Sequence, residues 1–274
     1  MSNPFFSIVV PSFNQGQFLE ECITSIIFQD FQDFELILMD GGSTDSSLSI
    51  IKKYQSSFSH WQSCIDNGQS DAIAKGFLKA KGRYFLWLNS DDILQPKALS
   101  LYHRHLTAQK NIHFLYANMF LISPNSKQIG RRLLTPLPPL FARLSINAGL
   151  FGFYQPASVW SASAYYAVGG INPQLQFALD NELFVRIIGS INLDSIVYLD
   201  KCTAGFRVHP AQKTLNISSV GLEERRIFLI SLPYLNRNLL HLWVRLWRFC
   251  SYSFRGKLLM FFSSRFLIEF SAIP

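Results

Sequence analysis

Charge is scarce in this 274-residue sequence: Asp, Glu, Lys and Arg make up 16% of it, against 49% apolar residues. That balance excludes a solvated, disordered chain and predicts a sizeable core. Cysteine is scarce as well. Cys22, Cys64, Cys202 and Cys250 stand far apart with no CxxC pair, which argues against a thiolate zinc site or a disulfide framework and fits a reducing cytosol. No uninterrupted apolar run reaches the ~18 residues of a membrane span. FFSIVV near the start is short, lacks a basic flank and runs into Pro11, so it does not read as a signal sequence. Internal repeats, low-complexity stretches, G-x-G-x-x-G and Walker patterns are missing too, which leaves a dinucleotide or ATP loop without support.

What is abundant is aromatic and positive. Aromatics reach 15%, with 25 Phe, and the formal net charge is +7. Most of that excess falls in residues 222–274, where seven Arg and Lys257 face only Glu223, Glu224 and Glu269. A basic excess points to an anionic partner.

The first third alternates strand and helix signals. SIVVP (7–11) reads as a short buried strand. Asn14 is placed to cap a helix in which Phe18, Leu19, Cys22, Ile23, Ile26 and Ile27 recur at helical spacing. FELILMD (34–40) is a second strand, stopped by Gly41-Gly42, and Ser43, Thr44 or Asp45 opens a helix to about Tyr54. WQSCID (61–66) is a third strand, 69–81 a helix closed by Gly82, and YFLWL (84–88) a fourth strand. Such units predict a parallel sheet with crossover helices, whose ligands sit beyond the carboxyl ends of the strands. Asn14, Asp40, Asp66 and the pair Asp91-Asp92 each follow a predicted strand, so a parallel sheet brings them to one edge. A single one of them reads equally well as a helix cap.

The second half is less regular. HFLYANMFLI (113–122) suggests a strand. TPLPPLFARLSINAG (135–149) reads as a Pro-rich loop, a lid or acceptor-side segment. FYQPASVWSASAYYAVGG (153–170) suggests a strand, a helix and a Gly turn, FALDNELFVRI (177–187) a helix, and TAGFRVHP (203–210) a final strand ending at His209.

At these positions the sequence resembles the family-2 glycosyltransferases of the GT-A fold. SIVVPSFNQGQFLEECITSIIFQDFQDFELILMDGGSTD is similar to their opening. WQSCIDNGQSDAIAKGFLKAKGRYFLWLNSDD resembles the block ending in a DxD-type metal motif, FALDNELFVRI their acceptor-side acidic motif, and GFRVHPAQKT their C-terminal His segment. The likeness covers about residues 5–215. It implies a Rossmann-like α/β sheet, mixed but mostly parallel and flanked by helices. It also implies a nucleotide-diphospho-sugar donor, most simply a UDP-sugar, a divalent Mn2+ or Mg2+, and transfer to an acceptor hydroxyl with inversion.

By the same resemblance Pro11, Phe13, Asn14 and Asp40 match the nucleotide-binding start, with Asp40 facing the base. Asp66 and Lys75 match the next nucleotide and phosphate block. Asp91 matches a residue near ribose or metal, Asp92 a direct metal ligand, His209 a position near metal or diphosphate, and Asp180 the general base. Two departures stand out. The first Asp of the DxD motif is Asn89, so coordination rests on Asp91 and Asp92. The Gln-x-x-Arg-Trp motif of processive polymerases is absent, which favours transfer of a single sugar.

The residues suit this chemistry on their own terms. A diphosphate leaving group gathers negative charge, which a hard cation on carboxylates neutralises, and the cation also removes the repulsion between Asp91 and Asp92. A hydroxyl acceptor needs one carboxylate as base. The apolar neighbours of Asp180 predict a raised pKa; Glu182 is its rival, and a helix cap is the plainer role for Asp180. Lys75 reads equally as an exposed helix residue and His209 as a strand-end histidine. Arg207 and Lys213 are candidates for phosphate.

Beyond the domain 1–220, residues 221–274 read as a basic amphipathic helix. Arg237, His241, Arg245, Arg248, Tyr252 and Arg255 share one face, with Trp243 and Trp247 among the apolar residues. This suits an anionic membrane surface, and equally a helix packed on the domain. No recognition motif for nucleic acid appears. The expected setting is cytoplasmic, peripheral on the inner face of the cell membrane, with a glycan or lipid-linked acceptor. Two rivals remain: a sugar nucleotidyltransferase, which lacks its basic phosphate loop in PSFNQGQ, and a degenerate sugar-nucleotide binder, which Asn89 keeps open.

Overall fold

The computed structural model describes residues 3–134, 153–213, 220–221 and 223–224. The Pro-rich stretch 135–150 and all but two residues of the stretch 222–274, on which the lid and membrane-helix expectations rest, lie outside them. Four parallel strands open the fold: β1 (Phe6–Ser12), β2 (Phe34–Asp40), β3 (His60–Ser63) and β4 (Tyr84–Trp87), in spatial order β3-β2-β1-β4. Helices α1 (Gly16–Ile27), α2 (Ser47–Lys53) and α3 (Gln69–Lys79) cross between them.

Both faces of β1, β2 and β4 are buried, because each is largely apolar at odd and even positions alike, while the edge strand β3 is half-buried. Phe6, Ile8, Val10, Leu36, Leu38, Leu86 and Leu88 face a core shared with Leu19, Cys22, Ile23 and Ile26 of α1. The alternate residues Val9, Ile37, Met39, Phe85 and Trp87 face a second core with Ala72, Ile73 and Phe77 of α3. Period-two alternation sorts the side chains, and two helical layers cover them.

The sheet then continues with strands of mixed direction. These are β5 (Ile93–Leu94), β6 (Phe114–Ile122), β7 (Gln128–Arg132), β8 (Ser158–Ser161) and β9 (Ile196–Arg207). The order runs β4-β8-β6-β9-β5, with β7 on β6. Strand β8 runs antiparallel to β4 and β6, whereas β9 is parallel to β6. Helices α4 (Ala98–Ala108), α5 (Ala162–Ala167) and α6 (Leu179–Ser190) complete the described elements. Among the described residues no helix is long and apolar enough to cross a membrane.

Several boundaries differ from the sequence reading, for visible reasons. Strand β3 stops at Ser63 rather than residue 66, because its partner β2 ends opposite it at Asp40. The chain then swings outward and leaves Ile65 89% exposed. Helix α2 begins at Ser47, since Gly42 at φ 83 and an open loop come first. The final strand starts at Ile196 and not near 203, carried by its long pairing with β6. Helix α4 was not foreseen, although Ala98, Leu99, Tyr102 and Leu106 bury one helical face.

Candidate functional site

A cavity of about 890 Å³ opens at the carboxyl ends of β1–β4, within the range of small-ligand sites. Its wall on the first-half side includes Pro11, Phe13, Gly41, Gly42, Ile65 and Asp66. Across from these stand Asn89, Asp91, Gln155, Phe177, Asp180 and Lys213. The expected convergence of strand ends is therefore present, but not every acidic group reaches the opening.

Asp40 is 1% exposed, and its carboxylate is taken up by the protein. It accepts from Ser43 Oγ at 2.5 Å and Ser43 N–H at 2.9 Å, from Ser63 Oγ at 2.6 Å and from Gly42 N–H at 3.2 Å. In this arrangement it organises the loop and does not line the cavity. Asn14 caps no helix and does not line the cavity. Held at φ 51, its side-chain oxygen accepts from Thr44 N–H at 2.9 Å while its own N–H donates to Ser43 Oγ at 2.7 Å. The cap of α1 comes from across the loop: Asp45 accepts from Gly16 N–H at 2.8 Å and from Ser47 N–H at 2.9 Å. Burial draws the Asp45 carboxyl upward, but these donors outweigh it and hold it below the usual carboxylate range.

Lys75 is likewise spent elsewhere. It lies outside the cavity wall and pairs with Asp71 at 2.7 Å one helical turn back, which holds Asp71 below the usual range. Asp66, by contrast, lines the cavity, its Oδ1 accepting from Gly68 N–H at 2.8 Å. The exposed Phe13 and Ile65 stand at the same mouth, beside the bare backbone of Gly41 and Gly42.

The Asp91-Asp92 pair of the opening chemistry is split by the fold. Asp91 lines the cavity, and its Oδ2 lies 3.0 Å from His209 Nε2. Asp92 turns inward and is 1% exposed. One of its oxygens accepts from Arg207 N–H at 2.9 Å; the other is buried with no donor among the described residues. Burial, and then the Asp91 carboxylate, pushes Asp92 well above the usual range. Asp92, the expected direct metal ligand, is thus turned away from the cavity; Asp91 lines it, with the buried His209 behind.

Arg207, a candidate for phosphate, is instead 1% exposed and ties the site together. Its Nε donates to Asp91 O at 2.7 Å, one terminal nitrogen to Pro124 O at 2.9 Å and Ser126 Oγ at 2.8 Å, and the other to Glu21 at 2.7 Å. The ring of Phe18 lies 4.7 Å from the guanidinium and 4.8 Å from the His209 ring. One arginine therefore fixes the loop that carries Asp91 and the strand end that carries His209.

Asn89, where the motif departs, is held by two other amides. Gln69 Nε2 donates to Asn89 Oδ1 at 2.7 Å, and Asn89 Nδ2 donates to Gln155 Oε1 at 3.4 Å. Gln155 in turn donates to Trp87 O at 2.7 Å. A carboxylate at position 89 would have no proton for Gln155 Oε1, so the amide matches its surroundings.

Asp180 stands in the first turn of α6 on the cavity wall, with Oδ1 accepting from Asn181 N–H at 2.7 Å. Its rival Glu182 is off the wall and forms a two-point ion pair with Arg186, both contacts at 2.6 Å. The turn before α6 is bound by a residue the sequence reading assigned to the tail. Glu224 accepts from Gln176, Phe177 and Ala178 N–H at 2.6, 3.0 and 2.8 Å. Glu224 therefore sits on this domain, past the expected edge at residue 220.

The charged side chains on the described wall are Asp66, Asp91, Asp180 and Lys213, a net excess of two negative charges. A dianionic diphosphate meets repulsion there unless a cation accompanies it. Among the described residues no group of three His, Cys, Asp or Glu could hold a metal ion. The Asp91 carboxylate on the wall nonetheless suits Mn2+ or Mg2+, which complete their shells with phosphate oxygens and water. The residues present fit such an ion.

The family model Glycosyl transferase family 2 matches residues 7–153. A hyaluronan synthase of Pasteurella multocida is 24% identical over 85% of this chain, and the chain spans 23% of that protein. More generally, the chain spans under a quarter of the length of the two Pasteurella synthases it matches. Crystalline TarS 1-349 of S. aureus in complex with UDP-GlcNAc superposes with a TM-score of 0.66 at 17% identity, covering 85% of this chain and 69% of that one. The mannosyltransferase PcManGT of Pyrobaculum calidifontis, with GDP-Man and Mn2+, gives 0.63 at 13% identity over 88% and 69%. The fold is the GT-A fold that the sequence resembles.

Proposed function

This chain belongs to glycosyl transferase family 2, and we propose that it moves a single sugar from a nucleotide-diphospho-sugar to an acceptor hydroxyl with inversion. One observation carries the reading: a carboxylate suited to take a proton, Asp180, and the Asp91 carboxylate, backed by the buried imidazole of His209, line one cavity at the strand ends. Phe13 and Ile65 offer apolar surface to a planar base, and Gly41 and Gly42 let it approach the backbone. Asp66 stands beside them for the nucleoside. Asp91 and His209 would hold a divalent cation, which when bound supplies charge neutralisation to the departing diphosphate. Lys213 adds a positive charge on the same wall. Asp180 accepts the proton of the acceptor hydroxyl as that oxygen attacks the anomeric carbon, and a single displacement needs only this one base.

The solved relatives with UDP-GlcNAc or with GDP-Man and Mn2+ support a nucleotide-sugar donor and a divalent ion. Assembly of a surface glycan on a lipid-linked or glycan acceptor, with the residues beyond Glu224 on an anionic inner membrane face, extends the proposal. Calorimetry of UDP-, GDP- and dTDP-sugars, each with and without Mn2+ or Mg2+, tests the donor. We expect one base class to bind with the metal; no binding under any condition removes the reading. Asp180→Asn should lower turnover by ~10²–10⁴-fold and leave nucleotide affinity in place, while Glu182→Gln keeps turnover. The reverse pattern would move the base to Glu182.

A further inference from the structure

The turn that delivers Asp180 is not held by its own neighbours. Helix α6 has Ala178 at its N-cap position, which supplies no side-chain cap, and Asp180 Oδ1 takes the Asn181 N–H. The N–H groups of the turn leading into the helix need partners too. Here Gln176, Phe177 and Ala178 all donate to the two oxygens of Glu224, about 47 residues on. Charge-assisted bonds of this kind are short and strong. Gly221 lies flat against the Phe177 ring, where a methyl group would collide with it. Two further contacts brace the same turn: Ser70 Oγ to Leu175 O, and Lys213 Nζ to Gln176 O at 3.3 Å. Phe177 and Asp180 both line the cavity.

We infer that Glu224 is a positioning residue for the acceptor-side carboxylate. By collecting three consecutive N–H groups it fixes the 176–178 turn, and with it the direction from which Asp180 meets the acceptor. Glu224 is then part of the catalytic apparatus and not of an appendage to it. Catalytic geometry tolerates little displacement: a shift of about 1 Å can cost ~10²-fold in rate. Glu224 touches neither donor nor acceptor in this account, so its loss should act on turnover and spare nucleotide binding. The inference rests on the proposal that Asp180 is the base.

The experiment uses the full chain with Glu224→Gln, an isosteric change that keeps packing and removes the charge. Three readouts are taken: UDP affinity with Mn2+ by calorimetry, release of nucleoside diphosphate from the preferred sugar donor to water, and amide exchange at Gln176, Phe177 and Ala178. The expected result is a fall in kcat of roughly 10- to 100-fold, UDP affinity within about twofold, and faster exchange at the three amides. Asp180→Asn combined with Glu224→Gln should be no slower than Asp180→Asn alone, since residues acting through one another are not additive. Additive losses, or an equal loss of UDP affinity, would overturn the positioning role. Unchanged exchange overturns it irrespective of turnover. A wild-type protein that binds UDP yet turns over no donor removes the glycosyl-transfer reading instead, and the exchange arm still decides whether Glu224 orders the turn.

Discussion

The two sides of the cavity are built differently. On the β1–β3 side, carboxylates are satisfied within their own loops or by the adjacent one: Asp40 by Ser43 and Ser63, Asp45 by Gly16 and Ser47, Asp71 by Lys75. On the opposite side the groups are held from far along the chain. Asp91 meets His209, Arg207 reaches back to Glu21, and Glu224 binds the turn before α6. Local bonding makes the first side a rigid frame that presents backbone and apolar surface. Long-range bonding makes the second side depend on the whole fold being closed, so damage there should spread further.

The largest effect expected from this contrast is at Arg207. Its side chain is wholly buried, and Asp91, Pro124, Ser126 and Glu21 all accept from it. Removing one member of a buried charged network leaves its partners unsatisfied and typically costs about 3–5 kcal/mol. Arg207→Met should lower stability by that order in urea unfolding, and should abolish divalent-ion binding by freeing the loop of Asp91. A loss under about 1 kcal/mol would mean that the second side is not held together through this residue.

A middle-sized effect belongs to Asn89, on the seam between the two sides. Asn89→Asp removes the proton donated to Gln155 Oε1 and adds a charge near Asp91 and the buried Asp92. Leaving a buried polar group unsatisfied costs about 1–3 kcal/mol. The variant should be less stable than the wild type without metal. It should also gain more on adding Mn2+, because an ion bound to the folded state alone stabilises it by mass action. Thermal unfolding with and without Mn2+ measures both; equal Mn2+ shifts in the two proteins would place the ion away from position 89.

The same contrast explains what could be read from sequence. The strands β1, β2 and β4 and the helices α1 and α3 were legible because each is written in a local apolar period, and parallel order follows from their alternation. Asp66, Asp91 and Asp180 were found at the cavity because strand-end and motif positions mark them. Asp40 and Asp92 carry the same local signal but point inward, and nothing in their neighbours distinguishes a presented carboxylate from a satisfied one. Arg207 and Glu224 were misread for the opposite reason. Their partners lie some 47 to 186 residues away, and no short window contains both ends of such a bond. Helix α4 alone was legible and missed, its apolar face of Leu99, Tyr102 and Leu106 standing plainly after Pro96.

The smallest effect lies on the first side, where the frame is redundant. Asp45 donates nothing and accepts from the first turns of two helices, α1 and α2. Its folded pKa is depressed below the unfolded value of about 3.9. A depressed carboxyl contributes stability that is present above the unfolded pKa and is lost as pH falls through the lower folded value. Asp45→Asn keeps an oxygen for the Gly16 or Ser47 N–H and loses the charge. Its cost at pH 7 should be modest, roughly 0.5–2 kcal/mol as for other cap residues. The gap between variant and wild type should then close below about pH 4, where the wild-type carboxyl protonates. Urea unfolding at pH 7, 5 and 3 follows it. A gap that stays constant across that range would show that packing of the loop, and not the carboxylate, joins the two helix starts.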